Sequence, residues 1–149
     1  MKQITALFAL VLVGLIGFTG CDQSTTTIDS AIPNGTFTAQ RTGAFTAQNG
    51  TPTAGTIRVG TDTKGTNFVH LGTDFKTELG TGTSILYLSK TAVYKADPAK
   101  GNPDLKLIGT ISKNGEQYYK LSAAVSSDFA YAIVWCATAS VPFGNANVK

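Results

Sequence analysis

Short runs of apolar residues, each ended by a turn signal, recur along this chain and leave little room for anything but strands. The signals are Gly60-Thr-Asp62, Thr63-Lys-Gly65, Gly80-Thr-Gly82, Asp97-Pro98, Gly101-Asn-Pro-Asp104 and Lys113-Asn-Gly115. Between them, strands are expected over 55–59, 67–71, 84–89, 105–112, 117–121, 130–137 and 145–148. Asn114-Gly115, between Ile111 and Tyr118, is the strongest hairpin signal, because this dipeptide accepts the positive φ angles of a tight turn. Threonine makes up about a seventh of the residues, and there are 16 glycines. Threonine fits a pleated surface, and glycine marks turns and bulges. No window keeps apolar residues at i, i+3, i+4 and i+7 for more than one turn, so amphipathic helices are not expected. The pattern predicts an all-β domain: a single antiparallel β-sandwich or small barrel of seven or eight short strands.

Within 130–137 both faces are apolar. Tyr131, Ile133 and Trp135 alternate with Ala132, Val134 and Cys136. Such a strand belongs in the middle of a sheet, covered on both sides. A local duplication sits further upstream: Gly35-Thr-Phe-Thr-Ala-Gln40 returns as Gly43-Ala-Phe-Thr-Ala-Gln48. Its eight-residue period is too short for a solenoid. The expectation is a duplicated strand segment that adds an edge strand or lengthens a tether.

The N-terminus reads as an export signal. Lys2 supplies a positive charge, residues 7–16 are apolar apart from Gly14, and Thr19 and Gly20 precede Cys21. The apolar run is short for a membrane span, which needs about 20 residues. Gly20-Cys21 resembles a bacterial lipobox, with Phe18 where leucine is usual. The resemblance implies cleavage before Cys21, lipidation of its sulfur, and anchoring to a lipid bilayer outside the cytoplasm, in the bacterial cell envelope. The expected organisation is a signal peptide at 1–20, a lipidated cysteine and polar tether at 21–34, and a β-domain at 35–149.

Cleavage leaves 129 residues, one domain's worth, able to bury a core without disulfides. It also leaves 11 basic against 9 acidic residues, a formal charge of +2. The lysines are scattered, with no basic stripe interleaved with aromatics, so no nucleic-acid partner is expected.

Cys136 is then the only thiol of the mature chain, so no internal disulfide can form. Two readings stand. Cys136 is a redox thiol or a ligand, or it is a small buried hydrophobe. A reactive thiol needs a nearby cation or helix N-terminus, which Trp135 and Ala137 do not supply. His70 and Trp135 are candidate ligand-binding residues, each with a plainer role as a packed strand residue. A metal or haem centre at Cys136 is conceivable, but one cysteine and one histidine fall short of a structural zinc set, and no metal site is expected. No cofactor is firmly indicated. Phosphate loops, nucleophile elbows and HExxH are absent, and no hydrolase, transferase or nucleotide-binding motif settles whether the chain is an enzyme.

The C-terminal segment Ala132-Ile-Val-Trp-Cys136, followed by Val141-Pro-Phe-Gly-Asn-Ala146 and Val148, resembles the closing motif of the DM-thirteen domain. That module is the electron-transfer domain of Skeletor-type proteins and of many bacterial lipoproteins. Gly55-Thr56, Leu86-Tyr-Leu-Ser89, Leu107-Ile-Gly109 and Tyr119-Lys-Leu121 resemble its earlier strands, so the likeness spans about residues 43–148. Two departures stand out. Thr51 occupies the place of a histidine common in the family, and Thr81-Gly-Thr-Ser-Ile85 lacks its aspartate. The resemblance implies a redox or electron-transfer accessory centred on Cys136, with an envelope redox partner. The alternative is a non-catalytic envelope module that binds a protein, glycan or small ligand, with Cys136 in its core.

Overall fold

The computed structural model describes residues 31–96 and 101–149. The expected signal peptide, Cys21 and the tether as far as residue 30 lie outside the described residues, as does the Asp97-Pro98 turn. Eight strands form: β1 (Thr38–Ala47), β2 (Thr56–Thr61), β3 (Asn67–Leu71), β4 (Ser84–Ser89), β5 (Leu105–Thr110), β6 (Gln117–Lys120), β7 (Tyr131–Cys136) and β8 (Val141–Asn147). No helix occurs among the described residues. All neighbours are antiparallel in one sheet of order β5-β4-β7-β8-β1-β2-β3-β6. The sheet curls into a nearly closed barrel, as the all-β expectation required.

One face of every strand points into the barrel. Ile57 and Val59, Val69 and Leu71, Leu86 and Leu88, and Ala132, Val134 and Cys136 are all buried there. Fully burying one such aliphatic side chain contributes roughly 1.5–3 kcal/mol. Loop residues join the same core: Phe75 after β3, Ile111 after β5, Leu121 after β6 and Val148 after β8. Phe75 meets Phe45 of β1 edge to face, with ring centroids 5.4 Å apart. Gly55 makes room for this loop. Its φ is +101°, and a side chain there would run into the backbone of Asp74 and Phe75.

β7 lies between β4 and β8 and is covered on both sides, as its two apolar faces predicted. On its outer face Ile133 is also buried. Residues 90–96 fold back over that face, where the Asn145 side chain donates to the Ala92 carbonyl at 3.0 Å.

The structure corrects two expectations. Asn114-Gly115 does form a turn, with Gly115 at φ +84°, but the flanking strands do not pair with each other. β5 pairs with β4, and β6 pairs with β3. The turn is tied elsewhere: Gly115 N–H donates to the Phe75 carbonyl at 2.8 Å, and Asn114 Oδ1 accepts from Thr77 N–H at 2.8 Å. The β5–β6 gap is crossed by a side chain. The Tyr119 ring lies over Gly109, and its hydroxyl donates to the Thr110 carbonyl at 3.2 Å.

The second correction concerns the duplication. Both copies feed one ten-residue strand, β1, which lies between β8 and β2 rather than at an edge. An even period keeps side chains on one face. Here the register slips between Ala39 and Arg41, leaving Gln40 as a bulge. The slip turns Phe45 inward and leaves Phe37, its counterpart, outside. It also turns Arg41 inward, where its Nη1 donates to the Phe129 carbonyl at 2.9 Å.

Phe75 is a loop residue that closes the core, so its truncation tests the packing. Phe75→Ala is expected to cost about 3–5 kcal/mol, read as a lower urea midpoint with an unchanged slope.

Candidate functional site

Cys136 closes β7, opposite Val141 on one side and Ser84 on the other. It is a free thiol with no exposed surface. The tight turn to β8 covers it. Ala139 N–H points back at its sulfur at 3.4 Å, and Ser140 takes a positive φ of 55° to bring the chain round. Cys136 belongs to the buried cluster, rich in Phe, Val and Leu side chains, that fills the barrel. Burial on this scale keeps bulky reagents and second thiols away.

Trp135, one residue earlier, points to the outer face. It stacks on Tyr94 with centroids 3.9 Å apart and planes within 16°. Tyr87 meets Tyr94 edge-on at 5.2 Å. Burial, aided by the bond to Tyr94, pushes the Tyr87 hydroxyl up to about 12. Beside the stack lies a slot of about 270 Å³ bounded by Gln48, Val93 and Pro142.

His70 lies on the outer side of β3 and is buried there by other side chains. Its ring stacks on Tyr118 at 4.3 Å and 10°, and Phe37 packs against its edge at 5.4 Å. Nε2 lies 3.0 Å from Glu116 Oε1, and Nδ1 lies 3.4 Å from Arg58 Nη1. Burial lowers the imidazole pKa below its ordinary value, outweighing the upward pull of Glu116. At neutral pH the ring is therefore uncharged. The network assigns its proton to Nε2, donated to Glu116, and leaves Nδ1 to accept from Arg58.

The three candidates do not form one site. Cys136 points inward, whereas Trp135 and His70 point outward. In the sheet, β8, β1 and β2 separate β7 from β3. A Cys–His pair is ruled out by this arrangement. No group of three His, Cys, Asp or Glu side chains gathers among the described residues.

The two positions that depart from the family pattern are engaged in local hydrogen bonds. Thr51 donates to the Phe143 carbonyl at 2.5 Å and begins a ladder of hydroxyls, 2.9 Å to Thr53 and 2.8 Å onward to Thr77. Thr83 holds the turn over Cys136: its carbonyl accepts from Ala137 N–H at 2.9 Å, and its N–H donates to Thr138 Oγ1 at 3.2 Å.

Sequence reasoning did not pair Tyr94 with Trp135, nor gather Phe37, Arg58 and Glu116 round His70. The repeat unit did flag Phe37, but its outward position depends on the Gln40 bulge. A solvent-open cleft of about 620 Å³ lies next to the His70 cluster, between residues 31–37 and the β5–β6 connection.

A family model described as Electron transfer DM13 matches residues 44–148. No curated protein and no solved structure matches the chain.

The lowered His70 pKa has a definite sign. Below about 6.5, the ordinary histidine value, the unfolded chain takes up a proton that the folded ring resists. Stability contributed by this site is complete above that pH and falls as pH drops towards the folded pKa. Denaturant melts from pH 8 to about 5 should show this loss, and His70→Gln should flatten that part of the profile.

Proposed function

The chain belongs to the DM13 electron-transfer family, and we propose that it serves as a lipid-anchored redox accessory of the bacterial cell envelope. The family match supports the redox role. The signal-like N-terminus ending at Gly20-Cys21 supports the anchor and the location. Cys136 is the candidate centre.

One observation shapes the reading: Cys136 has no exposed surface and lies beneath the β7–β8 turn. Thiol–disulfide exchange needs a second sulfur to approach the first directly, and the enclosing core blocks that approach. The redox role therefore does not include disulfide exchange with a partner in the closed state. Electrons need no such contact. Trp135, the covalent neighbour of Cys136, reaches the outer surface in its stack with Tyr94, and that surface is where a redox partner would meet the domain.

The same burial favours a second reading, in which the domain is a non-catalytic binding module and Cys136 is core. One measurement on the purified acylated protein, its voltammetry, separates them. Both readings expect a bulky thiol reagent to find no thiol in the native state and one per chain after denaturation. The redox reading expects a reversible wave in protein-film voltammetry that Cys136→Ser removes while the fold survives. A silent electrode would assign the chain to the binding reading. Cys136→Ser should lower stability by roughly 1–3 kcal/mol in either case, because it buries a hydroxyl in an apolar site.

Anchoring has its own test. Cys21→Ser is expected to abolish incorporation of a labelled fatty acid. Undiminished label in that variant would remove the lipid anchor from the proposal.

A further inference from the structure

The cleft beside Tyr118 has walls of two origins. One wall is residues 31–37, which precede the segment matched by the family model. The other is β6 with the turn that leads into it. Neither wall involves Cys136 or Trp135, so the cleft lies apart from the redox reading.

Both walls are held in place. Asn34 N–H donates to Asp62 Oδ2 at 2.9 Å, while Oδ1 of the same carboxylate accepts from Lys64 and Thr66 N–H at 2.9 Å each. Those three bonds depress the Asp62 pKa. Phe37, turned outward by the Gln40 bulge, meets Tyr118 edge-on at 5.8 Å. The Tyr118 ring is set by its parallel contact with His70, and it lines the cleft with what His70, Phe37 and Phe68 leave uncovered. Tyr119 is pinned over Gly109. Ile32 is half exposed at the lip.

The polar groups of the cleft are of two kinds. Gln117 is consumed internally: its amide bonds Ser112, the Lys113 carbonyl and the Tyr119 hydroxyl. Glu116 and Lys113 remain for a ligand. Glu116 Oε1 is aimed by His70 Nε2 at 3.0 Å and by the Tyr118 hydroxyl at 3.2 Å. The neutral His70 ring hydrogen-bonds Glu116 without bringing a positive charge to it. Lys113 lines the same cleft and forms no ion pair with it among the described residues.

A simple anion or cation entering here meets one attractive charge and one repulsive charge. A neutral polyol meets an acceptor, a donor and an aromatic ring. A pyranose has this dual character, with an apolar C–H face that packs on an aromatic ring and hydroxyls at its rim that both donate and accept. The volume is within the range of pockets that bind small molecules, and the open side allows a longer chain to pass. We propose that this cleft binds a neutral glycan, with one pyranose packed on Tyr118 and its hydroxyls shared between Glu116 and Lys113.

The test titrates the mature protein, in a detergent without a sugar headgroup, with maltotriose, cellotriose and tri-N-acetylchitotriose. Binding is followed by amide correlation spectra and calorimetry. Saturable binding of at least one probe is expected, with shifts concentrated in residues 32–37 and 110–119. Tyr118→Ala should weaken it at least about tenfold, a loss of about 1.4 kcal/mol, and Tyr118→Phe should retain it within about threefold. Should Tyr118→Ala fail to fold, Glu116→Gln and Lys113→Met, both at exposed positions, carry the test, each expected to weaken binding several-fold. Three results would overturn the proposal. One is no saturation by any probe at about 10 mM. Another is shifts that map to the Trp135 slot instead. The third is tighter binding of tetramethylammonium than of any sugar, lost in Glu116→Gln, which would make the cleft a cation site.

Discussion

Tyr119 bridges the one gap in the sheet. Seven antiparallel pairings link eight strands in a row, and a row has two ends. Those ends, β5 and β6, are consecutive in the chain, yet no ladder joins them. If they stood apart, the inner face would open and the core would meet water. The Tyr119 ring over Gly109 and its hydroxyl on the Thr110 carbonyl keep them together. Glycine at 109 is part of the device, since a side chain there would press on the ring. Burial pushes the Tyr119 hydroxyl up to about 12, so it stays a donor throughout the ordinary pH range. With the seam held, the sheet has a single inside, filled by one apolar core.

A closed inside also creates an outside that must be managed. Two aromatic clusters cover it. One is Tyr87, Tyr94 and Trp135 over β4 and β7, placed by the return of residues 90–96. The other is Phe37, Phe68, His70 and Tyr118 over β3 and β6. The second depends on the Gln40 bulge, because that extra residue moves Phe37 from the core face to the surface. A short duplication and a one-residue slip thereby produce two phenylalanines with opposite jobs. Phe45 packs in the core against Phe75, and Phe37 walls a cleft.

Chemistry divides along the same boundary. The inner face holds Cys136, shielded and bonded by the turn that covers it. The outer face holds the histidine, the tryptophan and the carboxylate that steers the His70 ring. The thiol and the cleft beside Tyr118 therefore share no residue. The threonines at 51 and 83 fit this division. Thr51 bonds β8, and Thr83 bonds the β7–β8 turn, so Thr83 contributes to enclosing Cys136 rather than to exposing it.

By itself the sequence determined what local periodicity and short motifs control. Period-two alternation and glycine-bearing turns made the chain all-β, and β3 and β4 fall on the expected residues 67–71 and 84–89. Two apolar faces placed β7 inside the sheet. The Trp-Cys ending and its spacing to Val141-Pro-Phe-Gly carried the family. Tertiary structure decided whatever depends on register and curvature. Asn114-Gly115 specifies a turn but not the partners of the strands it joins, because those partners are chosen by sheet neighbours far away in sequence. The eight-residue repeat specifies two similar segments but not the bulge between them, because a bulge is set by pairing with β2. Cys136, Trp135 and His70 each read as a candidate in isolation. Only the closed sheet sends the first inward and the other two outward, three intervening strands apart.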